Sequence, residues 1–314
     1  MSAPLIIGLS AVIVAADEER PRVLATRRET GLAALPFGAF DPGKDRTFEL
    51  ALRGWVKAQT GFDLGYVEQL YTFGDRDRET PGATLADAAE DARIISVGYL
   101  ALAPVAESIE AGFAAQWRGW YRYFPWEDHR GGRPSLIDDE IAPRLKTWAA
   151  GSDSRIDRAR LAFGLDGRDW VEERALERYE LLYEAGLLQE CVRDAGLPAL
   201  DFDLGEPMAS DHRRILATAV GRLRGKIKYR PVVFELMGER FTLSALQRVV
   251  ESVLGLTLHK QNFRRALDRT GLVDGTGQME VGTGGRPAEL YRFRREVLAR
   301  KQALGVATPA ARRD

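Results

Sequence analysis

The sequence has little of the chemistry from which disulfides and metal sites are built. Its 314 residues include one cysteine, Cys191, and three histidines that lie far apart. A single cysteine excludes an internal disulfide framework and a cysteine-based zinc site. Because the histidines show no metal-ligand spacing either, we expect no metal ion unless carboxylates hold it.

Long apolar runs are also scarce. The most apolar stretch, Pro4 to Ala16, lacks a basic leader and is followed by Asp17-Glu18-Glu19. It is shorter than the roughly 20 residues that a membrane span requires. Its β-branched residues instead predict a buried strand. We therefore expect a cytoplasmic protein without a membrane segment.

The near-zero net charge conceals an asymmetry along the chain. Residues 1–210 carry 24 Lys and Arg against 36 Asp and Glu, a net charge of −12. Residues 211–314 carry 21 against 10, a net charge of +11. This split suggests an acidic body joined to a basic module that meets a polyanion. Docking of the two halves on each other is the alternative explanation.

The first hundred residues have an α/β pattern. A helix is predicted over Thr47–Thr60, with Gly61 as its stop. A loop is predicted over Arg76–Asp91. The predicted strands are Ile6–Ala15, Val23–Arg27, Val67–Gly74 and Arg93–Leu102.

Residues 107–205 have a different, helical pattern with no recognisable chemistry. Turn residues such as Gly186, Gly196 and Pro198 separate the segments. The predicted helices are Ala111–Phe124, Ile137–Trp148, Arg155–Phe163 and Trp170–Ala185.

The basic C-terminal part predicts a winged helix-turn-helix. Thr242 caps a helix ended by Gly255, a second helix spans Lys260–Thr270, and a Gly-rich hairpin follows. In this arrangement the second helix lies in the DNA major groove.

The second helix carries residue types suited to base readout. Asn and Gln can pair with adenine, and Arg with guanine. The polar residues available to DNA are Lys260, Gln261, Asn262, Arg264, Arg265 and Arg269. We also expect phosphate or groove contacts from Arg224, on the preceding helix, and from Arg286 in the wing. An ordinary solvated helix face is the alternative.

The C-terminal module resembles the winged-helix domain of the Nudix-related transcriptional regulators of NAD metabolism. The resemblance runs from about residue 228 to 293. It rests on Phe241-Thr242-Leu243, on Asn262-Phe263-Arg264-Arg265, on Gly284-Gly285-Arg286-Pro287 and on Leu290-Tyr291-Arg292-Phe293. The family's usual members lack an insertion as long as residues 126–205.

The N-terminal half resembles a Nudix domain that has lost its metal-binding carboxylates. Leu35–Gly43, a helix, and Thr60-Gly61-Phe62 follow the Nudix loop–helix–loop. In active Nudix hydrolases, carboxylates of this helix hold Mg²⁺ against a pyrophosphate. Counted back from Gly61, the paired glutamate positions hold Ala58 and Gln59, and the Arg-Glu pair falls on Gly54 and Trp55. Counted forward from Gly38, the first glutamate position holds Lys44. We therefore expect no enzymatic activity.

The resemblance implies a DNA-binding regulator whose degenerate Nudix domain senses ADP-ribose or a related NAD metabolite. The expected partners are double-stranded operator DNA, this nucleotide effector and a second copy of the chain, because symmetric half-sites compensate for one short reading helix. No cofactor is expected. The predicted ligand contacts are Arg27, Arg28, Phe37, Gly38 and Arg93.

The predicted fold class is α+β. A Nudix-like α/β sandwich with a helical insertion (about 126–205) occupies residues 1–225, a winged helix-turn-helix occupies 226–300, and 301–314 is expected to be a disordered tail. One alternative function is an active Nudix pyrophosphohydrolase that recruits displaced carboxylates such as Asp41, Asp45 or Glu49. Another is a scaffold that binds no nucleic acid.

Overall fold

Two parallel strands, β1 (Leu5–Ala16) and β6 (Arg93–Ala103), form the centre of the N-terminal sheet. Their register runs from Leu5 opposite Arg93 to Ala15 opposite Ala103. The computed structural model describes residues 5–27, 31–75, 92–104, 115–280 and 287–295. Arg28, Arg286, the predicted 76–91 loop and the predicted 301–314 tail lie outside these ranges.

The described sheet has seven strands in a mixed arrangement. Its main order is β3-β2-β1-β6-β5, with β4 pairing with β1 and β7 pairing with β2. Besides β1 and β6, the strands are β2 (Pro21–Arg27), β3 (Ala33–Ala34), β4 (Phe37–Ala39), β5 (Tyr66–Phe73) and β7 (Ala115–Gly119).

Both faces of the central strands are buried. Successive side chains of a strand point to opposite faces, so one strand contributes to two cores. Leu9 and Ile13 of β1 pack with helix α1 (Phe48–Thr60). Val12 and Val14 pack in the core that contains helix α6 (His212–Ile227). The continuous apolar run of β1 is therefore the run expected for a strand between two helical layers.

The helix α1 was predicted correctly from its ends. The Thr47 hydroxyl accepts a hydrogen bond from the backbone N–H of Leu50 at 3.2 Å. Gly61 ends the helix with φ +72°, a left-handed conformation that suits glycine, and its N–H donates to Lys57 O at 2.9 Å.

Short helices fill most of residues 120–194. No described helix is long and apolar enough to cross a membrane. The α-helices are α2 (Ala142–Trp148), α3 (Asp153–Phe163), α4 (Ala175–Glu184) and α5 (Gln189–Asp194). Single turns of 3₁₀ helix lie at Trp120–Arg122, Pro125–Glu127 and Glu172–Arg174, and a π-helical turn lies at Ile137–Ile141.

The predicted helix Ala111–Phe124 is wrong over residues 115–119. Residues Ala115–Gly119 form β7, which places Trp117 opposite Leu24 of β2. Pairing with the edge of β2 satisfies the backbone of this segment, and the Trp117 ring packs on Phe62 with centroids 6.1 Å apart. Long-range pairing therefore outweighed the helix-like spacing of the aromatic residues.

The C-terminal part has the predicted winged-helix order. Helices α7 (Leu243–Leu254) and α8 (Lys260–Thr270) are followed by the antiparallel strands β8 (Val273–Glu280) and β9 (Ala288–Phe293). Thr242 caps α7 by accepting from Ala245 N–H at 3.0 Å, and Gly255 ends it with φ +71°. Phe241 adds a backbone bridge to Tyr291 of the wing.

The His129 side chain lies in a half-buried position beside α7. Its ring packs on Trp170 with centroids 4.0 Å apart, and Nε2 lies 3.2 Å from Trp126 O. Burial, reinforced by the nearby cations Arg133 and Arg178, outweighs the attraction of Glu127 and lowers the pKa of His129 to about 4.

We expect this pKa to make folding stability depend on pH. The folded pKa lies below the unfolded value of about 6.5, so the unfolded state takes up a proton at His129 more readily than the folded state does. The free energy of unfolding therefore has its full value above pH 6.5 and falls as the pH is lowered towards 4. The loss should reach about 3 kcal/mol. Urea unfolding at several pH values would show it. The His129→Gln variant should lack this part of the pH dependence, and an unchanged pH profile in that variant would contradict the assignment.

Candidate nucleic-acid interface and ligand site

Helix α8 presents one apolar face to the core and one polar face to solvent. Phe263, Ala266 and Leu267 are buried. The exposed residues are those predicted to read DNA, namely Lys260, Gln261, Asn262, Arg264, Arg265 and Arg269. Within the described parts of the chain, no hydrogen bond or ion pair occupies these side chains. Their polar groups are therefore free to meet a ligand.

The turn between α7 and α8 is held by side chains of α7. The Glu251 carboxylate accepts hydrogen bonds from Leu258 N–H at 2.8 Å and from Gln247 Nε2 at 2.9 Å. The same Gln247 nitrogen donates to Leu258 O at 3.1 Å. These bonds fix the direction in which α8 leaves the turn, and so the direction of its exposed face.

The prediction that Arg224 contacts DNA is wrong. Its side chain is 0% exposed and is paired with the buried carboxylate of Glu127. Its Nε donates to Val253 O at 3.0 Å. A helical pattern of basic residues does not distinguish a solvated arginine from one that holds two elements together, and here the packing of α6 against α7 decides. Arg286, the other predicted backbone contact, lies outside the described residues.

The loop–helix–loop closes on itself where a Nudix enzyme would hold metal. Trp55 and Gln59 occupy two of the glutamate positions counted back from Gly61. The Gln59 amide accepts from Phe37 N–H at 3.2 Å and donates to Phe37 O at 2.6 Å. Trp55 Nε1 donates to Ala39 O at 2.9 Å, and its ring covers Gly38. These side chains bond the loop directly.

The carboxylates near this loop are engaged by neighbouring cations. Glu49 pairs with Arg53 at 2.9 Å and Asp41 pairs with Lys44 at 3.0 Å. The hydrogen bond from Lys44 lowers the pKa of Asp41. Asp45 accepts from the backbone N–H of Asp41 at 2.9 Å. Among the described residues, no group of three or more His, Cys, Asp and Glu side chains is arranged to hold a metal ion.

The ligand contacts predicted from the sequence are not brought together. Arg27 is exposed on β2, whereas Arg93 is exposed at the start of β6 and donates to Gly74 O at 3.1 Å. The structure contradicts ligand contact through Phe37, which is 2% exposed and packs near His212. Gly38 is also closed, because an added Cβ would lie 2.2 Å from the Trp55 ring. Arg28 lies outside the described residues.

A cleft of about 670 Å³, rich in arginine and not predicted from the sequence, lies beside β7. We call it the β7 cleft. Its lining residues include Trp117 and Tyr121, the carboxylates Glu19 and Asp128, and four arginines, Arg20, Arg118, Arg122 and Arg130. Such a combination suits an aromatic base and a phosphate. Two arginines among three aromatic residues over 117–122 were the sequence signal for it.

Three carboxylates limit the positive charge of the β7 cleft. Glu206 accepts from both Arg118 and Arg122, Asp128 pairs with Arg130 at 2.8 Å, and Glu19, which lines the cleft, pairs with Arg20 at 3.5 Å. Arg20 and Arg122 nevertheless keep 57% and 60% of their side chains exposed. These two side chains are therefore accessible to an anion that enters the cleft from solvent.

Comparison with known proteins confirms the resemblance inferred from the sequence. Residues 233–293 match the family described as the NrtR DNA-binding winged helix domain. The ADPR responsive transcriptional repressor NtrR of Acinetobacter baylyi is 42% identical over 95 residues. That match covers 30% of this chain and 36% of the relative, so the chain spans about a third of the curated relative's length.

Solved structures of low sequence identity share the fold. Shewanella oneidensis NrtR complexed with a 27mer DNA is similar with a TM-score of 0.58 and 20% identity, over 97% of this chain and 99% of that one. A MutT/nudix family protein from Enterococcus faecalis is similar with a TM-score of 0.53 and 18% identity, over 94% and 88%. The α+β fold class, a Nudix-like body followed by a winged helix, is thereby confirmed.

We expect the contacts of Gln59 to contribute measurably to stability. The Gln59→Ala variant leaves the partly buried N–H and C=O of Phe37 without partners, which should cost about 1–3 kcal/mol. The matched control is Lys57→Ala on the same helix, whose ion pair with Asp63 is exposed and should contribute less than about 1 kcal/mol. Urea unfolding measures both. Equal effects of the two substitutions would contradict this account of the closed loop.

Proposed function

We propose that the protein is a DNA-binding transcriptional regulator that responds to an ADP-ribose-like nucleotide. The single observation that carries the proposal is the exposed polar face of α8, within the segment that matches a DNA-binding winged helix domain. Similarity to the Acinetobacter baylyi repressor favours repression as the sign of regulation. The protein acts in the cytoplasm as a homodimer, with the ligand-sensing domain at 1–225 and the winged helix at 226–300.

The N-terminal domain serves as a sensor and not as a hydrolase. Hydrolysis of a nucleotide diphosphate by the Nudix mechanism needs carboxylates that hold Mg²⁺. Trp55 and Gln59 stand in two of those positions and bond the loop instead. The contacts of these side chains support binding without cleavage, and the protein needs no cofactor beyond its effector.

The β7 cleft is the proposed effector site. Trp117 and Tyr121 offer aromatic surfaces to a base, and Arg20 and Arg122 offer exposed guanidinium groups to the diphosphate. The cleft replaces the site first expected around Arg27 and Arg93. Because it adjoins residues that contact α7, a ligand there has a short route to the winged helix.

ADP-ribose should raise the melting temperature without being consumed. A ligand that binds the folded state stabilises it by about 2.7 kcal/mol at 100 times its Kd. Arg20→Ala with Arg122→Ala should abolish the thermal shift, and Arg27→Ala with Arg93→Ala should not. Chromatography should detect no AMP released in the presence of Mg²⁺. Release of AMP that Asp45→Ala abolishes would establish the hydrolase alternative. If the thermal shift is lost in the Arg27→Ala, Arg93→Ala variant and kept in the Arg20→Ala, Arg122→Ala variant, the effector site lies at Arg27 and Arg93.

Base readout by α8 should be separable from backbone contact. Duplexes selected by the protein from a random pool would serve as specific ligands, and scrambled duplexes as nonspecific ones. Asn262→Ala or Arg265→Ala should weaken binding to the selected duplex by about 1–3 kcal/mol and affect the scrambled one little. Fluorescence anisotropy measures both, with the exposed Arg46→Ala as control. If both α8 variants bind the selected duplex as tightly as the unsubstituted protein, α8 does not read bases.

A further inference from the structure

The winged helix contacts the rest of the chain through α7. Arg248 pairs with Glu18 and the Ser252 hydroxyl donates to Asp17 O at 3.1 Å, both in the turn after β1, and further contacts are made at the last turn of the helix. The last carbonyl groups of an α-helix have no partner within the helix. Three carbonyl oxygens at this end accept hydrogen bonds from outside it. Ser252 O accepts from Tyr121 Oη at 2.7 Å, Val253 O from Arg224 Nε at 3.0 Å, and Gly255 O from the backbone N–H of His129 at 2.8 Å.

These donors belong to, or are held by, residues 121–130, which we call the junction segment. Tyr121 and His129 are part of it. Arg224 lies on α6 but is bound to the Glu127 carboxylate of the segment. The positive charge of Arg224 also faces the negative end of the α7 helix dipole, which favours this arrangement.

Gly255 shows how close this contact is. It adopts φ +71°, and a Cβ at this position would lie 2.2 Å from Glu127 O and 2.8 Å from Tyr121 Oη. Only a residue without a side chain allows the end of α7 to rest on the junction segment. Helix α8 begins five residues later, after the turn held by Glu251 and Gln247.

The Glu127 carboxylate is the centre of the junction segment. It is 1% exposed and lies between two guanidinium groups that are each 0% exposed. Arg178 binds it from α4, with Nε 2.5 Å from Oε1 and Nη2 2.9 Å from Oε2. Arg224 binds Oε2 through Nη1, which also donates to Glu172 O at 3.0 Å. The helical insertion thereby fixes Arg224, the arginine that bonds the end of α7.

We infer that Glu127 is a positioning residue for DNA binding, and that contacts with the helical insertion fix the orientation of the winged helix. The carboxylate fixes Arg224, Arg224 and Tyr121 fix the end of α7, and α7 sets the direction of α8. This inference rests on the proposed DNA-binding function for its consequence, whereas the orientation itself can be measured without DNA.

A second buried ion pair supplies a matched control. Arg213, also on α6, pairs with Glu190 at 3.1 Å, and both side chains are 1% exposed. The described bonds of the Arg213 guanidinium go to Glu190, Tyr123 and Leu204, none of which belongs to the winged helix. Glu127→Gln and Glu190→Gln therefore remove the same charge at the same depth. The second affects an arginine that bonds the junction segment only at Tyr123 O, whereas the first affects Arg224, which bonds α7 directly.

The experiment measures the distance between two spin labels on the full chain in a Cys191→Ser background. One label replaces Asp139 in the helical insertion and the other replaces Asp268 on α8. Both positions are exposed. The unsubstituted junction should give one narrow distance distribution. Glu127→Gln and Tyr121→Phe should broaden it, and Glu190→Gln should leave it narrow even if it lowers the melting temperature as much as Glu127→Gln does.

Binding to duplexes selected by the unsubstituted protein is the second readout. Without spin labels, Glu127→Gln should weaken binding by about tenfold and Glu190→Gln by less than about twofold. If Glu127→Gln does not fold, Tyr121→Phe decides, because it removes a single hydroxyl. A narrow distribution in Tyr121→Phe and in any folded Glu127→Gln protein, or equal broadening in Glu190→Gln, would overturn the inference. If the unsubstituted protein binds no duplex, the proposed function fails. The distances between the spin labels still test whether Glu127 and Tyr121 fix the orientation of the winged helix.

Discussion

The arrangement of this molecule depends on one buried carboxylate shared by two buried guanidinium groups. Burial opposes ionisation of Glu127, but the charges of Arg178 and Arg224 outweigh it and hold the pKa below its usual value. Removal of one partner from a buried ion pair typically costs about 3–5 kcal/mol, because it leaves a charge without compensation. The cluster therefore ties α4, α6 and the junction segment into a single unit.

Under the proposed DNA-binding function, a fixed orientation of the winged helix has a consequence. A winged helix that hung from a linker would sample many orientations, and two copies in a dimer would rarely match the spacing of operator half-sites. Tyr121 and Arg130 line the β7 cleft, while Tyr121 also holds α7 and Arg130 donates to Glu19 O in the turn after β1. A ligand in the proposed effector site would contact residues that also hold α7. Coupling between the two sites would require that this ligand bind one arrangement of the winged helix more tightly than another.

The closed loop of the N-terminal domain is held by side chains at positions where Nudix hydrolases carry glutamates. Helix α1 keeps its length, its caps and its packing on β1, and these depend on Leu52, Val56 and Gly61. The positions that would carry catalytic carboxylates face the loop. A tryptophan and a glutamine there gain hydrogen bonds to Ala39 and Phe37 without placing a charge beside the sheet.

Many helix and strand ends of this protein depend only on neighbouring residues and could be predicted from the sequence. The caps Thr47 and Thr242, the stops Gly61 and Gly255, and the continuous apolar run of β1 each depend on a few neighbouring residues, so α1, α7, α8 and the central strands were predicted at nearly their observed ends. The exposed face of α8 followed from the same periodicity. Counting back from Gly61 and forward from Gly38 showed that the Nudix glutamate positions hold other residues.

Other features depend on residues far apart in the chain, and only the tertiary structure decided them. Residues 115–119 became a strand because the edge of β2 was open to pairing, although their aromatic spacing suggested a helix. Arg224 is buried because Glu127, 97 positions away, compensates its charge, whereas Arg222 on the same helix is exposed. The β7 cleft exists because the turn after β1 meets β7. Composition and periodicity report which side chains prefer water, but the partner that allows a charge to leave water is chosen by the packing of the whole chain.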